Sequence, residues 1–304
     1  MLPKVALTVI SIASFVGVWM TMATHAAGTW QQAIPRWLHL ISFAFLIGTN
    51  MWKGLFVKPA DQPSQQPYFT KFVSASYANF RKIERFVVPV FILTAVYDLF
   101  RFANWKVPGW VIGLEGVLIA AITVAALYDL FRRVDKDNPY TERNTARLLV
   151  GLLVLDGFVN AAYDVYLAQG GQAWPLAIRT IHLVAFGLWF GGAVWNIFIT
   201  VPSARKIVSM PVVVAASEQL ERFRIAVRII LPTLIVTGLI QAYPYVGLNP
   251  RMLTASLFGW LILTKLALIV VLVGVFITCP MWRACSPIAG MCNIDDLAPQ
   301  KSKA

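Results

Sequence analysis

The sequence RWLHLISFAFLIGTNMW, residues 36–52, returns in related form as RTIHLVAFGLWFGGAVW, residues 179–195. The two copies lie 143 residues apart, and matches continue at that offset through residues 36–94 and 179–237. The identical pairs include Arg36/Arg179, His39/His182, Gly48/Gly191, Trp52/Trp195 and Pro89/Pro232. This pattern predicts a duplicated structural unit, in which two of the chain's three histidines occupy equivalent positions.

The composition indicates a membrane protein. Of the 304 residues, 58% are hydrophobic and 13% are charged, whereas soluble domains carry about 25% charged residues. A helix that crosses a bilayer needs roughly 20 apolar residues. Eight stretches meet this length, at about 4–24, 35–57, 85–103, 108–131, 145–168, 175–201, 226–245 and 257–278. They predict an all-α integral membrane protein with eight transmembrane helices, because an isolated span must satisfy its own backbone hydrogen bonds.

The repeat divides these helices into two sets of four. Residues 1–137 form the N-terminal four-helix repeat, residues 138–279 the C-terminal one, and residues 280–304 a cytoplasmic tail that contains cysteines. Because four is even, both repeats enter the membrane in the same orientation. We therefore expect a pseudo-twofold axis along the membrane normal.

Charge distribution predicts the orientation. The chain carries a net charge of +12, and its basic residues flank the second, fourth and sixth connections between spans. This alternation follows the positive-inside rule and places both termini in the cytoplasm of a bacterial inner membrane. It excludes nucleic acid as a partner and favours contact of the basic side chains with lipid headgroups. The first span resembles a signal peptide, but we expect it to be retained because it corresponds to the span at 145–168.

Several ionisable groups fall inside the predicted spans, where they are energetically costly and usually face the protein interior. Most lie in the outer half of the membrane, so we expect them to converge there. Glu115 and Lys265 are candidates for an intramembrane ion pair. Two roles remain open for Asp156 and Asp164: they neutralise Arg36 and Arg179, or they carry protons or cations. The intramembrane polar set is Asp98, Glu115, Asp156, Asn160, Asp164 and Lys265.

Two groups of residues are candidate metal ligands. His39 and His182 are a candidate ligand pair, since imidazole is the commonest metal-binding side chain; the alternative is a hydrogen bond to a neighbouring helix. Met20, Met22 and His25 end the first helix, and thioethers with an imidazole suit Cu(I). Apolar packing explains the methionines equally well. Cys279, Cys285 and Cys292 lie on the predicted cytoplasmic side, where thiols stay reduced.

The repeated segments 36–52 and 179–195 resemble the "His-Leu…Trp-x-Gly-Gly" helix of the copper resistance protein D family. The last span, with Gly259, Trp260 and Lys265, is similar to that family's closing helix. The resemblance implies an eight-helix inner-membrane protein that passes copper inward, with His182 and His39 as metal ligands. A separate periplasmic copper donor protein would then be needed, because no copper-binding domain is fused to the chain.

Three functions therefore compete. The first is a copper permease, in which Met20, Met22, His25, His39 and His182 capture Cu(I) on the outer side. The second is a b-type haem subunit for electron transfer, with His39 and His182 as axial ligands of haem b and with Arg36 and Arg179 paired to its propionates. The third is a scaffold subunit of a larger membrane complex. We find no phosphate loop, nucleophile elbow or metalloprotease motif, and therefore expect no enzymatic activity.

Overall fold

The computed structural model describes residues 2–23, 32–103, 108–135, 137–169, 172–247 and 250–278. Every regular element in those ranges is helical. Two π-helical turns, Trp52–Phe56 and Trp195–Thr200, extend the second and sixth α-helices, and 3₁₀ turns occupy Pro63–Gln65 and Pro139–Glu142. The α-helices are α1 Leu2–Ala23, α2 Ala33–Met51, α3 Gln66–Ala103, α4 Gly109–Phe131, α5 Arg143–Gln169, α6 Ala173–Val194, α7 Val201–Lys206, α8 Met210–Val246, α9 Pro250–Ala255 and α10 Leu257–Thr278.

Six helical segments within the described ranges are long and apolar enough to cross a membrane. They are Lys4–Met22, Gly109–Phe131, Pro139–Val165, Ala173–Lys206, Met210–Val246 and Leu257–Val275. The prediction of an all-helical chain is confirmed for the described residues, and these long apolar helices suggest a multi-pass membrane protein. Helices α2 and α3 cover the other two predicted spans but are not among the six, so the prediction of eight spans is not confirmed.

Helices α3 and α8 are unusually long, with 38 and 37 residues. At 1.5 Å per residue each measures about 57 Å, whereas the hydrocarbon core of a bilayer is about 30 Å thick. Each helix therefore runs from the segment predicted to be cytoplasmic into the predicted span. Pro89 in α3 and Pro232 in α8 lie 143 residues apart, and neither can donate a backbone hydrogen bond at that point.

Helices α2 and α6 pack most extensively on one another and form the centre of the molecule. Their contact depends on Gly48 and Gly191. A methyl group added at Gly48 would lie 2.6 Å from the Cα of Gly191, and one added at Gly191 would lie 2.5 Å from the Cα of Gly48. These two glycines therefore permit the close approach of α2 and α6.

Two aromatic pairs flank this contact. Trp52 packs against Phe223, and Phe80 packs against Trp195, with 5.9 Å between ring centroids in both cases. Trp52 and Trp195 are equivalent positions of the repeat, 143 residues apart, and so are Phe80 and Phe223. Each pair therefore joins a residue of one repeat to a residue of the other. A contact between residues i and j′ that is matched by one between j and i′ is the pattern of an isologous interface.

The outer helices cross between the halves. Helix α4 packs on α3 and on α5, which follows the linker, whereas α10 packs mainly on α1 at the opposite end of the chain. Helix α10 contacts α8 only weakly. The space enclosed by α1, α6, α8 and α10 is therefore less filled than the corresponding space beside α3, α4 and α5.

Candidate functional site

A cavity of about 700 Å³ occupies that space and reaches α2 and α5. Most of its wall is apolar, with aromatic side chains such as Phe43, Phe186 and Trp189. The polar and charged residues that line it include Arg36, His39, Asp98, Asn160, Asp164, Arg179, His182, Gln241 and Lys265. These residues are distant in sequence, so the fold gathers much of the predicted intramembrane polar set around one cavity.

Both histidines of the repeat are held by a threonine in the neighbouring helix. His39 Nδ1 lies 3.3 Å from Thr94 Oγ1, and His182 Nδ1 lies 2.8 Å from Thr237 Oγ1. Each hydroxyl donates its single hydrogen to the backbone carbonyl four residues earlier, at 2.7 and 2.6 Å. With that hydrogen on the carbonyl, the hydroxyl accepts from Nδ1–H, and the lone pair of a neutral imidazole then lies on Nε2; the opposite tautomer would reverse these two roles. This tautomer is the one that a metal ligand needs when its Nδ1–H is held by a second residue.

The arginines share one carboxylate. Arg36 pairs with Asp164, and Arg179 Nη2 lies 2.8 Å from the other carboxylate oxygen of Asp164. Arg179 Nη1 also donates to Gln241 at 3.0 Å. Asp164 thus neutralises part of both guanidinium groups, as predicted, but Asp156 pairs with neither. Buried Arg36 Nη1 and Arg179 Nε have no hydrogen-bond partner.

The predicted ion pair between Glu115 and Lys265 is not formed within the described part of the chain. Glu115 Oε1 accepts a hydrogen bond of 3.3 Å from Asn160 Nδ2. Lys265 instead lies against α1, where a methyl group at Gly17 would be 3.3 Å from its Nζ. The prediction failed because it used only the depth of each residue along its helix, which does not say toward which neighbour the side chain points. Glu115 points from α4 toward α5, whereas Lys265 points from α10 toward α1.

The predicted soft-metal cluster is only partly described. Met20 lines the cavity, whereas Met22 is not among its lining residues. His25 and the three cysteines at 279, 285 and 292 lie outside the described residues. In the ranges that the structure describes, no group of three or more His, Cys, Asp or Glu side chains is arranged to hold a metal ion.

Three buried carboxyl groups lie beside the cavity, between α3, α4 and α5. Asp98, Glu115 and Asp156 have 4%, 2% and 0% of their surface exposed. The charge of Glu115 interacts with both aspartates. Both carboxylate oxygens of Asp156 and Oε2 of Glu115 are buried without a hydrogen-bond partner.

A second buried charge cluster, which sequence reasoning missed, lies near the predicted cytoplasmic end. Lys53 Nζ lies 2.6 Å from Asp129 Oδ2 and 2.8 Å from Glu142 Oε2, and all three side chains are fully buried. Arg81 also bonds Glu142, at 2.7 Å. The expectation that Lys53 contacts lipid headgroups is therefore wrong. The sequence did contain an indication of this ion pair. Lys53 and Asp129 each interrupt an apolar stretch, and their opposite charges neutralise one another.

Glu84 completes this second cluster. It lies one residue before the predicted third span, is fully buried, and has no hydrogen-bond partner for either carboxylate oxygen. Burial, followed by the neighbouring charge of Asp129, raises the pKa of Glu84 to about 8. This shift favours the protonated form of Glu84 at neutral pH.

Comparisons with protein-family models, with curated proteins and with solved structures gave no match to this chain. The resemblance to the copper resistance protein D family consequently stays a prediction.

Proposed function

We propose that this chain is a bacterial inner-membrane protein of eight spans that binds haem b in the cavity between its two halves. Each predicted span largely overlaps a helical segment, and the basic residues alternate between connections as the positive-inside rule requires. The reciprocal pairs Trp52–Phe223 and Phe80–Trp195 support a pseudo-twofold axis between residues 1–137 and 138–279. Both termini then lie in the cytoplasm.

One observation carries the haem assignment: His39 and His182 line the same cavity, and each has its Nδ1 within hydrogen-bond distance of a threonine hydroxyl on the neighbouring helix. Axial ligation of haem iron uses neutral imidazole nitrogens. A hydrogen bond on the opposite nitrogen fixes the ring and raises its basicity. The same Thr–His arrangement on both halves fits a pair of ligands better than it fits two unrelated packing contacts.

The surroundings of the histidines also fit haem. A cavity of about 700 Å³ lies in the range of about 300–1,000 Å³ typical of small-molecule and cofactor sites, whereas a single ion needs no such volume. Its aromatic walls suit a macrocycle, and the unpartnered Arg36 Nη1 and Arg179 Nε are donors suited to carboxylates. Bound haem would supply one-electron chemistry. The protein's own groups would hold the iron, orient the propionates and exclude water.

A copper permease is the second candidate, and Met20 favours it. The Met20 thioether lines the cavity together with both histidines, and thioether with imidazole is a donor set for Cu(I). In that case copper is the cargo, and weak sites would allow it to leave again.

A visible spectrum of the purified protein, with and without added hemin, separates the two candidates. We expect the sharp Soret and α bands of a six-coordinate, bis-histidine haem. Either His39→Ala or His182→Ala should abolish that six-coordinate spectrum. Thr237→Val should weaken haem affinity by about 10- to 100-fold, because it removes the acceptor for His182 Nδ1–H. Thr233 lies one turn away, and its hydroxyl donates to the backbone carbonyl of Ile229. The Thr233→Val variant is therefore the control and should keep the wild-type haem affinity.

The haem assignment is wrong if no Soret band appears after hemin is added. If the wild-type protein then retains Cu(I) and the two histidine variants lose it, the copper assignment takes its place. If neither ligand binds, both assignments fail.

A further inference from the structure

We infer that Asp98, Glu115 and Asp156 form a buried proton-binding site beside the cavity, a role that does not depend on what the cavity binds. The three carboxyl groups come from three successive helices, α3, α4 and α5, and are at most 4% exposed. An ionised carboxylate in such surroundings is strongly unfavourable unless it is paired. Their pairing therefore decides their charge.

Within the described residues, Glu115 and Asp156 have few hydrogen-bond partners. Both oxygens of Asp156 and one oxygen of Glu115 are buried without any hydrogen bond, and the other oxygen of Glu115 is held by the neutral amide of Asn160 at 3.3 Å. Arg36 interacts with the charge of Asp98, but its ion pair is with Asp164. In the described part of the chain, the ionisable groups near this region are Arg36 and His39 from α2, Asp98 from α3, Glu115 from α4, Asp156, Tyr163 and Asp164 from α5, and Arg179 from α6.

Among the described residues, no cation pairs with Glu115 or Asp156. The two arginines are bound to Asp164, and of the three carboxyl groups Asp98 is the one whose charge interacts with Arg36. Glu115 and Asp156 must then hold protons. In the part of the chain that the structure describes, no group of three His, Cys, Asp or Glu side chains is arranged to bind a metal ion.

The repeat argues that these acids are not a packing motif. At the offset of 143 residues, Asp98 corresponds to Gln241 and Glu115 to Phe258. Asp156 corresponds to Ala13, and Asn160 to Gly17. None of these four counterparts ionises, and all four line the cavity. The same space is thus an open cavity in one half and a carboxyl cluster in the other. Asp98 and Asn160 line the cavity as well. Asn160 also bonds Glu115, so a single side chain separates the Glu115 carboxyl group from the cavity.

Infrared spectroscopy of the full-length protein without added haem tests the site, because a protonated carboxyl group has its own C=O stretching band. Glu84 would contribute to that band, so the measurement is made in a Glu84→Gln background. At pH 7 we expect a band that shifts in D₂O, is reduced by Glu115→Gln or by Asp156→Asn, and is lost in the double variant. Asp61→Asn, in an exposed loop, is the matched control and should leave the band unchanged.

A band that is absent from the Glu84→Gln background, or that keeps its intensity in both single variants, would overturn the proposal. Since each single variant must already reduce the band, the test does not require the double variant to fold. Failure here leaves the haem spectrum unaffected, and absence of haem leaves the infrared band unaffected.

Discussion

Glu84 is a carboxyl group whose environment favours its protonated form in the folded protein. It lies in a cluster with two basic side chains, Lys53 and Arg81, which are already paired with Asp129 and Glu142. Ionising Glu84 adds a third negative charge to two positive ones. The raised pKa, about 8, follows from this imbalance and from burial.

This shift predicts how stability depends on pH. The pKa of Glu84 is higher in the folded than in the unfolded chain, where a glutamate titrates near about 4.3. Its stabilising contribution is therefore fully present below that value and is lost as the pH rises through about 8. The loss reaches at most about 1.4 kcal/mol per pH unit. Unfolding midpoints measured from pH 5 to pH 9 should fall in wild type and should fall less in Glu84→Gln.

The sequence identified some site residues and missed others for a physical reason. His39, His182, Arg36 and Arg179 were visible because repetition marks them. Thr94 and Thr237 were repeated as well, but their role depends on helix rotation, which places them opposite the imidazoles. Lys53 was misinterpreted because its two acidic partners lie 76 and 89 residues away, and charge counting along the chain gives no such contact.

Helices α2 and α6 owe their close approach to glycine, which predicts a specific sensitivity to added volume. Gly191→Ala would place a methyl group 2.5 Å from the Cα of Gly48, and backbone atoms cannot move aside as a flexible side chain would. We expect a loss of about 1–3 kcal/mol in the free energy of unfolding, the usual cost of overpacking. Unfolding in mixed micelles measures it.

Gly151→Ala in α5 is the control, since nothing lies within 4 Å of a methyl group there. An alanine in an open helical position should stabilise the protein by about 0.5–1 kcal/mol. Equal effects of the two substitutions would contradict the glycine contact between α2 and α6.

Helix positions were predictable where apolar character is continuous, and less so where backbone geometry changes. The predicted second and sixth spans, 35–57 and 175–201, continue through π-helical turns at Trp52–Phe56 and Trp195–Thr200, and no residue type announces such a turn. The cross-packing of α4 on α5 and of α10 on α1 was equally inaccessible. Hydrophobic length says that a helix is buried in lipid or protein, and it does not say against which neighbour.

For the molecule as a whole, the proposed arrangement of eight spans with cytoplasmic termini predicts which connections face each side. In a background with the three native cysteines replaced by serine, Asp61→Cys should react with a membrane-impermeant maleimide in inside-out vesicles alone. Gln172→Cys should react in right-side-out vesicles alone, because five spans precede it. Both positions are exposed on the protein surface. Labelling of both from the same side would exclude an odd number of spans between them, and with it the eight-span arrangement.

Lys53 has a consequence for biogenesis. One of its two carboxylate partners, Glu142, belongs to the segment that joins the halves and is synthesised 89 residues after it. Until Glu142 is synthesised, Lys53 has Asp129 as its one carboxylate partner of the two. At the start of α5, Arg143 and Arg147 donate to the carbonyl oxygen of Gly54 in the π-helical turn that follows α2. The buried cluster of the first half is therefore complete only once the segment that joins the halves has been made.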